Sequence, residues 1–245
     1  MRFERLADLV SRFRPARTRV NGRERLRAFF GAGIGILLTA LVARWWAGDA
    51  AAMPWLAAPL GASAVLVFAV PGSPLAQPWP VIGGNVLSAL VGSLCAHLIG
   101  DPAWAAAVAV ALAIALMFSL RCLHPPGGAT ALLTALSSAS PGFALFPMLT
   151  DSVMLVLAGM LYNGFTGRQY PHAQLKPVAA QHKKSRFTTE DLDAALTHYN
   201  QVLDVSRDDL EELLEFAEAA AYERNFGHLS CRDIMTPDPI SVQFG

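Results

Sequence analysis

Within the most apolar part of this sequence sits Arg121-Cys122-Leu123-His124-Pro125-Pro126-Gly127-Gly128-Ala129-Thr130-Ala131-Leu132-Leu133. It combines a guanidinium, an imidazole and a hydroxyl with two prolines and two glycines. A proline in the first turn with glycine behind it starts a helix abruptly and leaves backbone N–H groups unpaired. Those groups and the positive end of the helix dipole attract anions. Gly127, Gly128 and Ala129 let a ligand approach the backbone closely. Thr130 adds a hydroxyl donor, and Arg121 or a protonated His124 adds charge at the mouth. The chemistry expected is the holding of a small anion.

The stretch has a second copy. Pro59-Leu60-Gly61-Ala62-Ser63-Ala64-Val65-Leu66 aligns with Pro126 to Leu133 at a constant offset of 67. Gly61 and Ala62 match Gly128 and Ala129, and Ser63 matches Thr130. The same shift puts Pro74 on Pro141, Pro80 on Pro147 and Gly92 on Gly159. Prolines and glycines carry the repeat, not the alanines that composition bias would supply. The expected substrate-binding set is therefore Gly61, Ala62, Ser63, Asn85, Arg121, His124, Gly127, Gly128, Ala129 and Thr130. Each has a plainer alternative. Pro-Gly-Gly also permits tight helix packing, His124 could cap a carbonyl, and Arg121 could anchor the chain at an interface. Asp151 and Asn163 are further polar residues at membrane depth, suited respectively to a helix N-terminus and to helix–helix bonding. No nucleophile–base pair or metal-ligand cluster is evident, so neither catalysis nor a metal is expected. Cys95, Cys122 and Cys231 lack metal or disulfide spacing.

These residues need a membrane to sit in. Hydrophobic residues make up 53% of the 245, and charged residues 16%. Between Ala28 and Thr166 the charged residues are Arg44, Asp49, Asp101, Arg121 and Asp151. A soluble domain or a nucleic-acid binder does not look like this. The first 27 residues carry nine arginines against Glu4, Asp8 and Glu24. Phe3, Leu6, Leu9, Val10 and Phe13 give them an apolar face, which suits an amphipathic helix on an anionic lipid surface. The positive-inside rule then puts the N-terminus in the cytoplasm. Six apolar segments follow, in two triplets: 28–47, 54–70 and 81–99, then 103–120, 124–140 and 147–165. The fold expected is an all-α membrane protein, a helical bundle of two three-segment repeats over 28–99 and 103–166. Six crossings would give inverted halves, whereas motif segments that only dip in would give four crossings and parallel repeats. Both return the C-terminus to the cytoplasm.

The run His124-Pro125-Pro126-Gly127-Gly128-Ala129-Thr130-Ala131-Leu132 resembles the HPP family of integral membrane proteins. Pro59-Leu60-Gly61-Ala62-Ser63-Ala64-Val65-Leu66-Val67-Phe68 belongs to the same resemblance. So do Ser73-Pro74-Leu75-Ala76-Gln77-Pro78 and Ile82-Gly83-Gly84-Asn85. It covers roughly residues 25 to 170 and implies four transmembrane helices. Some plant relatives of the family are chloroplast nitrite transporters, so nitrite transport is what the resemblance implies. A bacterial inner (plasma) membrane is the expected location.

Past residue 167 the composition changes. A basic flank runs from Arg168 to Arg186. Phe187 to Ser230 then holds eleven acids against Arg207 and Arg224. Thr188 with Asp191, and Ser206 with Asp209, read as helix caps. Leu192, Leu196, Tyr199 and Leu203 mark one amphipathic helix; Leu210, Leu213, Leu214, Ala217 and Ala221 mark another. A short cytosolic two-helix connector is expected over 168–230. From 231 to 245, Cys231-Arg232-Asp233-Ile234-Met235-Thr236-Pro237 resembles the opening of a cystathionine-β-synthase (CBS) domain. That resemblance implies dimerisation, hence a homodimer, and an adenine nucleotide in the part of the domain beyond a truncated chain. No cofactor is expected within the chain itself. A membrane sensor that relays ligand binding to the CBS module is the alternative to a transporter.

Overall fold

The computed structural model describes residues 20–48, 55–173, 188–199 and 204–226. The amphipathic residues 3–13 and the CBS-like opening at 231–245 lie outside the described residues. Among the described residues every regular element is helical. The membrane unit contains α1 (Gly22–Ala47), α2 (Leu60–Ala69), α3 (Asn85–Leu98), α4 (Pro102–Ser119), α5 (Pro125–Leu136) and α6 (Thr150–Phe165). A π-turn at Pro80–Gly84 leads into α3, and a second at Leu145–Leu149 leads into α6. Those two turns stand at equivalent places in the repeat.

Helix α1 begins at Gly22, not at Ala28 as hydropathy alone predicts. Asn21 caps it, accepting from the Glu24 N–H at 2.9 Å. The apparent surface charges of this turn are consumed by protein. Arg27 donates to Glu24 Oε1 at 2.9 and 2.6 Å, to Asn163 Oδ1 at 2.7 Å and to the Phe68 carbonyl at 2.6 Å. A guanidinium whose donors are satisfied by neighbours can lie inside a spanning helix. Arg168 reaches Glu24 Oε2 at 2.8 Å. The start of α1 and the end of α6 therefore share one face.

Four continuous helical stretches, Gly22–Ala47, Pro80–Leu98, Pro102–Ser119 and Pro141–Phe165, are long and apolar enough to cross a bilayer. Helices α2 and α5 have 10 and 12 residues. At 1.5 Å per residue they reach about 15 and 18 Å, roughly half the ~30 Å hydrocarbon core. They are half-helices, yet neither turns back to its own side. Helix α2 ends next to the start of α1 and the end of α6, where Asn163 donates to the Val67 carbonyl at 3.0 Å. Helix α5 ends by the far half of α3, where Ser93 donates to the Ala139 carbonyl at 2.6 Å. Helices α3 and α6 run antiparallel. Helix α6 packs on the turn before α3, and α3 packs on the turn at Pro141–Ala144. So α2 and α5 finish on opposite faces. The half-helices and the long helices thus give the two halves inverted sense. The two alternatives left open by the sequence thus meet: four continuous crossings, with inverted rather than parallel repeats.

The first two helices of each half pack on one another, but the last helix of each half packs with the other half. Helices α1 and α2 pack against α6, while α4 and α5 pack against α3. Leu60, Val67, Phe68, Met148 and Leu155 fill the first bundle. Val91, Cys95, Ala109, Ala113, Met117 and Ala131 fill the second. Each half lends its last helix to the other.

Gly72–Pro74 and Pro171–Gly245 form a second compact unit. It contains the two expected helices, α7 (Thr189–Tyr199) and α8 (Arg207–Phe226). Arg207 Nε donates to Asp193 at 2.6 Å and ties them together. Both expected caps form. The Thr188 N–H donates to Asp191 Oδ2 at 2.9 Å and the Asp191 N–H returns to Thr188 Oγ1 at 3.3 Å. The Asp209 N–H donates to Ser206 Oγ at 3.1 Å. The bonds from Thr188, backbone first, hold the Asp191 carboxyl below the usual carboxylate range. A lowered folded value means the contribution is present above the ordinary pKa and is lost as pH falls through the folded one. Thr188→Ala is expected to raise amide exchange over 189–199 several-fold at neutral pH, measured on the full chain, with that difference shrinking under acid.

Candidate functional site

Four of the predicted residues come together in one sealed network. Ser63 lies in the first turn of α2, Asn85 opens α3, His124 caps α5 and Thr130 lies in its second turn. All four are fully buried. Asn85 Nδ2 donates to Ser63 Oγ at 3.2 Å, and Thr130 Oγ1 donates to Asn85 Oδ1 at 3.0 Å. One amide thus bridges the two hydroxyls that the repeat relates. Ser63 Oγ and His124 Nε2 are 2.8 Å apart, and His124 Nδ1 is 2.8 Å from the Leu75 carbonyl.

The carbonyl sets the direction of the whole chain of bonds. It can only accept, so the Nδ1 proton of a neutral His124 points at Leu75. Nε2 is then bare and accepts from the Ser63 hydroxyl. Ser63 in turn accepts from Asn85, and Asn85 accepts from Thr130. Every donor has a partner, as burial demands. Protonating Nε2 reverses one link. Its N–H would donate to Ser63, whose own proton must then turn out of the network because the Asn85 amide nitrogen cannot accept. The arrangement can therefore create a hydroxyl donor beside an imidazolium by taking up one proton.

Ser152 is a residue the sequence reading missed. It is fully buried on α6, 3.4 Å from Asn85 Nδ2. Asn85 shifted by 67 is Ser152, so the repeat itself held the signal. The Leu75 carbonyl carried none.

The other predicted residues lie outside this network, and the amides of Gly61, Ala62 and Gly127, expected to be unpaired, have backbone partners. Gly61 and Ala62 are exposed, and their N–H groups donate to the Ala58 and Pro59 carbonyls, both at 3.1 Å. The residues before α2 fold into a tight turn that consumes them. Gly127 N–H donates to the His124 carbonyl at 2.8 Å. Gly127 is a packing position: a Cβ there would lie 2.8 Å from Ser88 Oγ and 2.9 Å from Met117 Sδ. Gly128 is half-buried with open space around it, and Ala129 is exposed. Arg121 is exposed as well, at φ 55, and its N–H closes the end of α4 on the Phe118 carbonyl at 3.2 Å. Its guanidinium is outside the network.

Asp151 precedes Ser152 and is also fully buried. Its Oδ2 accepts from the Ala57 N–H at 3.3 Å, while Oδ1 has no hydrogen-bond partner among the described residues. The repeat places Asp151 opposite Gly84, and His124 opposite Ala57. Where one half has a small residue facing an imidazole, the other has a small residue facing a carboxyl. Among the described residues no group of three or more His, Cys, Asp or Glu side chains could hold a metal.

A family model described as "HPP, transmembrane region" matches residues 17–171. A transmembrane protein of Dictyostelium discoideum is 40% identical over 146 residues, which is 56% of this chain and 51% of the relative. A second transmembrane protein of that organism is 40% identical over 119 residues, 45% of this chain and 38% of the relative. The chain thus spans about half or less of the relatives' length. No solved structure matches.

Proposed function

The chain belongs to the HPP transmembrane family, and on that premise we propose that it carries a small inorganic anion across the membrane together with a proton. Nitrite is the first candidate substrate, from the resemblance of its motifs to family members. The observation that supports the reading is the meeting of two half-helices of inverted repeats on Ser63, Asn85, Thr130 and His124. Transporters commonly place a substrate where interrupted helices of inverted repeats converge near the midplane. Here the side chains, rather than the amides of Gly61 and Gly127, supply the donors.

In the proton-free state the network is closed on itself and offers an anion nothing. Proton uptake at His124 Nε2 swings out the Ser63 hydroxyl and supplies a cation next to it. An anion accepting from both is held by a charge-assisted bond. Release of anion and proton on the other side restores the neutral chain of bonds. The elements packed around His124 carry Cys95, His97, Cys122 and Asp151 as further ionisable side chains. A cytosolic CBS-type module after residue 231, in a homodimer with cytoplasmic termini, would regulate that flux.

Proteoliposomes loaded with nitrite, nitrate, formate or chloride test the proposal. Saturable, protein-dependent flux that rises at acid pH is expected for nitrite; none for any of the four would reject transport, and ligand binding without flux would favour a sensor. His124→Ala is expected to lower acid-pH flux about tenfold or more, the loss of one bond to a charged group, and to flatten its pH profile. A preserved profile would remove His124 from the mechanism.

A further inference from the structure

Under the repeat, His124 answers to Ala57 and Asp151 to Gly84. Each half thus has a joint where the lead-in of a half-helix meets the start of a long helix. A Cβ on Gly84 would lie 2.6 Å from His124 Cβ and 2.8 Å from the Cys122 carbonyl oxygen, so the imidazole takes the room at one joint. At the other joint the small residue is on the lead-in and the side chain comes from the long helix. There Asp151 Oδ2 accepts from the Ala57 N–H at 3.3 Å. Each joint therefore holds one ionisable group, and both groups are fully buried. His124 is bonded at both ring nitrogens, whereas Asp151 Oδ1 has no hydrogen-bond partner among the described residues.

We infer that Asp151 is a second proton-binding site, the counterpart of His124, so that two protons accompany each anion. The stoichiometry rests on the transport reading above; the proton site does not. A carboxylate out of water, with one long N–H bond and one unanswered oxygen, is strongly unfavourable as an anion. Nothing on the elements packed against α6 offsets its charge. Helix α1 carries Arg44, which is exposed, and its other charges, Glu24 and Arg23 to Arg27, lie at the opposite end of α6 beside Asn163. Helix α2, its lead-in over 55–59 and both π-turns carry no ionisable side chain. A proton bonded to Oδ1 removes the charge. It comes from water on one face and leaves to water on the other. Asp151 precedes Ser152, which is 3.4 Å from Asn85 Nδ2, so a half-helix movement that opens the network to one face also reaches this joint. With one proton on His124 Nε2 and one on Asp151 Oδ1, each anion crosses with one net positive charge. With His124 alone the cycle is electroneutral.

The test uses the full chain in proteoliposomes and reads nitrite accumulation against imposed gradients. With two protons per anion, a tenfold proton gradient near neutral pH supports about a hundredfold accumulation, and a tenfold potassium gradient with valinomycin shifts it about tenfold. Asp151→Asn keeps an oxygen for the Ala57 N–H and is fixed as neutral. It is expected to accumulate nitrite about tenfold in the same proton gradient and to ignore the potassium gradient. Accumulation by the unsubstituted chain that ignores potassium would overturn the second proton without any variant, and so would unaltered ratios in Asp151→Asn. Infrared spectra of the full chain in phosphatidylcholine nanodiscs read the proton site without transport. A carboxylic-acid C=O band is expected that is missing in Asp151→Asn and converts to carboxylate in alkaline buffer. A band that never converts marks a permanently neutral acid, and no such band at any pH marks a permanent carboxylate; either overturns the site. The converting band without any flux would uphold the proton site and reject the transport reading together with its stoichiometry.

Discussion

Gly92→Ala is expected to leave little folded protein. Gly92 lies where α3 crosses α5, and an added methyl would run into the Ala131 carbonyl oxygen and Thr134 Oγ1. A side chain can rotate aside, but the carbonyl belongs to the backbone of α5, so the helices must separate. Overpacking of this kind costs about 1–3 kcal/mol and more where backbone has to shift. Alanine's better helix propensity returns at most about 1 kcal/mol. Separation would also draw Thr130 away from Asn85, since both contacts hang on the same pair of helices. Gly33→Ala is the control: Gly33 is exposed on α1, with nothing within 4 Å of an added Cβ. Size-exclusion yield and thermal midpoint in detergent should fall sharply for the first and hold or rise for the second. Equal behaviour would mean that the close crossing of α3 and α5 is not what holds the second bundle.

The second large effect belongs to Asn85→Leu. Leucine fills a similar space but removes a donor and an acceptor at once. Ser63 loses the bond it accepts, and Thr130 loses the Asn85 oxygen, though it retains the Pro126 carbonyl at 3.2 Å. A buried polar group left without its partner costs about 1–3 kcal/mol. The bridge between the halves disappears, and nitrite flux per folded molecule is expected to drop at least a hundredfold, roughly 2.7 kcal/mol at RT ≈ 0.59. Ser152→Ala removes the 3.4 Å contact and a weak 3.9 Å bond to Met148 Sδ and should cost less than threefold. Flux that survives in Asn85→Leu would place the permeation path elsewhere.

Much of the architecture was legible because punctuation residues write it. Pro59, Pro126, Gly92 and Gly159 announced the repeat, and their spacing set out the two triplets of apolar segments. The start of α1 was not legible, since Arg27 reads as a surface charge until Glu24, Asn163 and Phe68 are seen to satisfy it. The site was half legible. Residue type picked out Ser63, Asn85, His124 and Thr130, which the fold joins in one hydrogen-bonded network. It could not tell which backbone amides stay free, because whether an amide at a helix start is free depends on the carbonyls behind it. Those of Ala58, Pro59 and His124 close the first turns, and no side chain reports that. Ser152 was recoverable by the same offset that paired Ser63 with Thr130. The Leu75 carbonyl, which orients the imidazole, has no letter in the sequence at all.

The exchange of last helices between the halves has a further consequence. Residues of one half alone cannot complete a bundle, because the helix that should cover α1 and α2 arrives only with α6. A chain of that length would have to borrow the missing helix from a second molecule lying the other way up in the bilayer. Fusion of two such molecules reproduces the present connectivity without any rearrangement of contacts. The protein is built as a permanently tethered pair of antiparallel subunits. Fragments cut in the turn at Asp101 should accordingly be rescued by one another, and by neither alone.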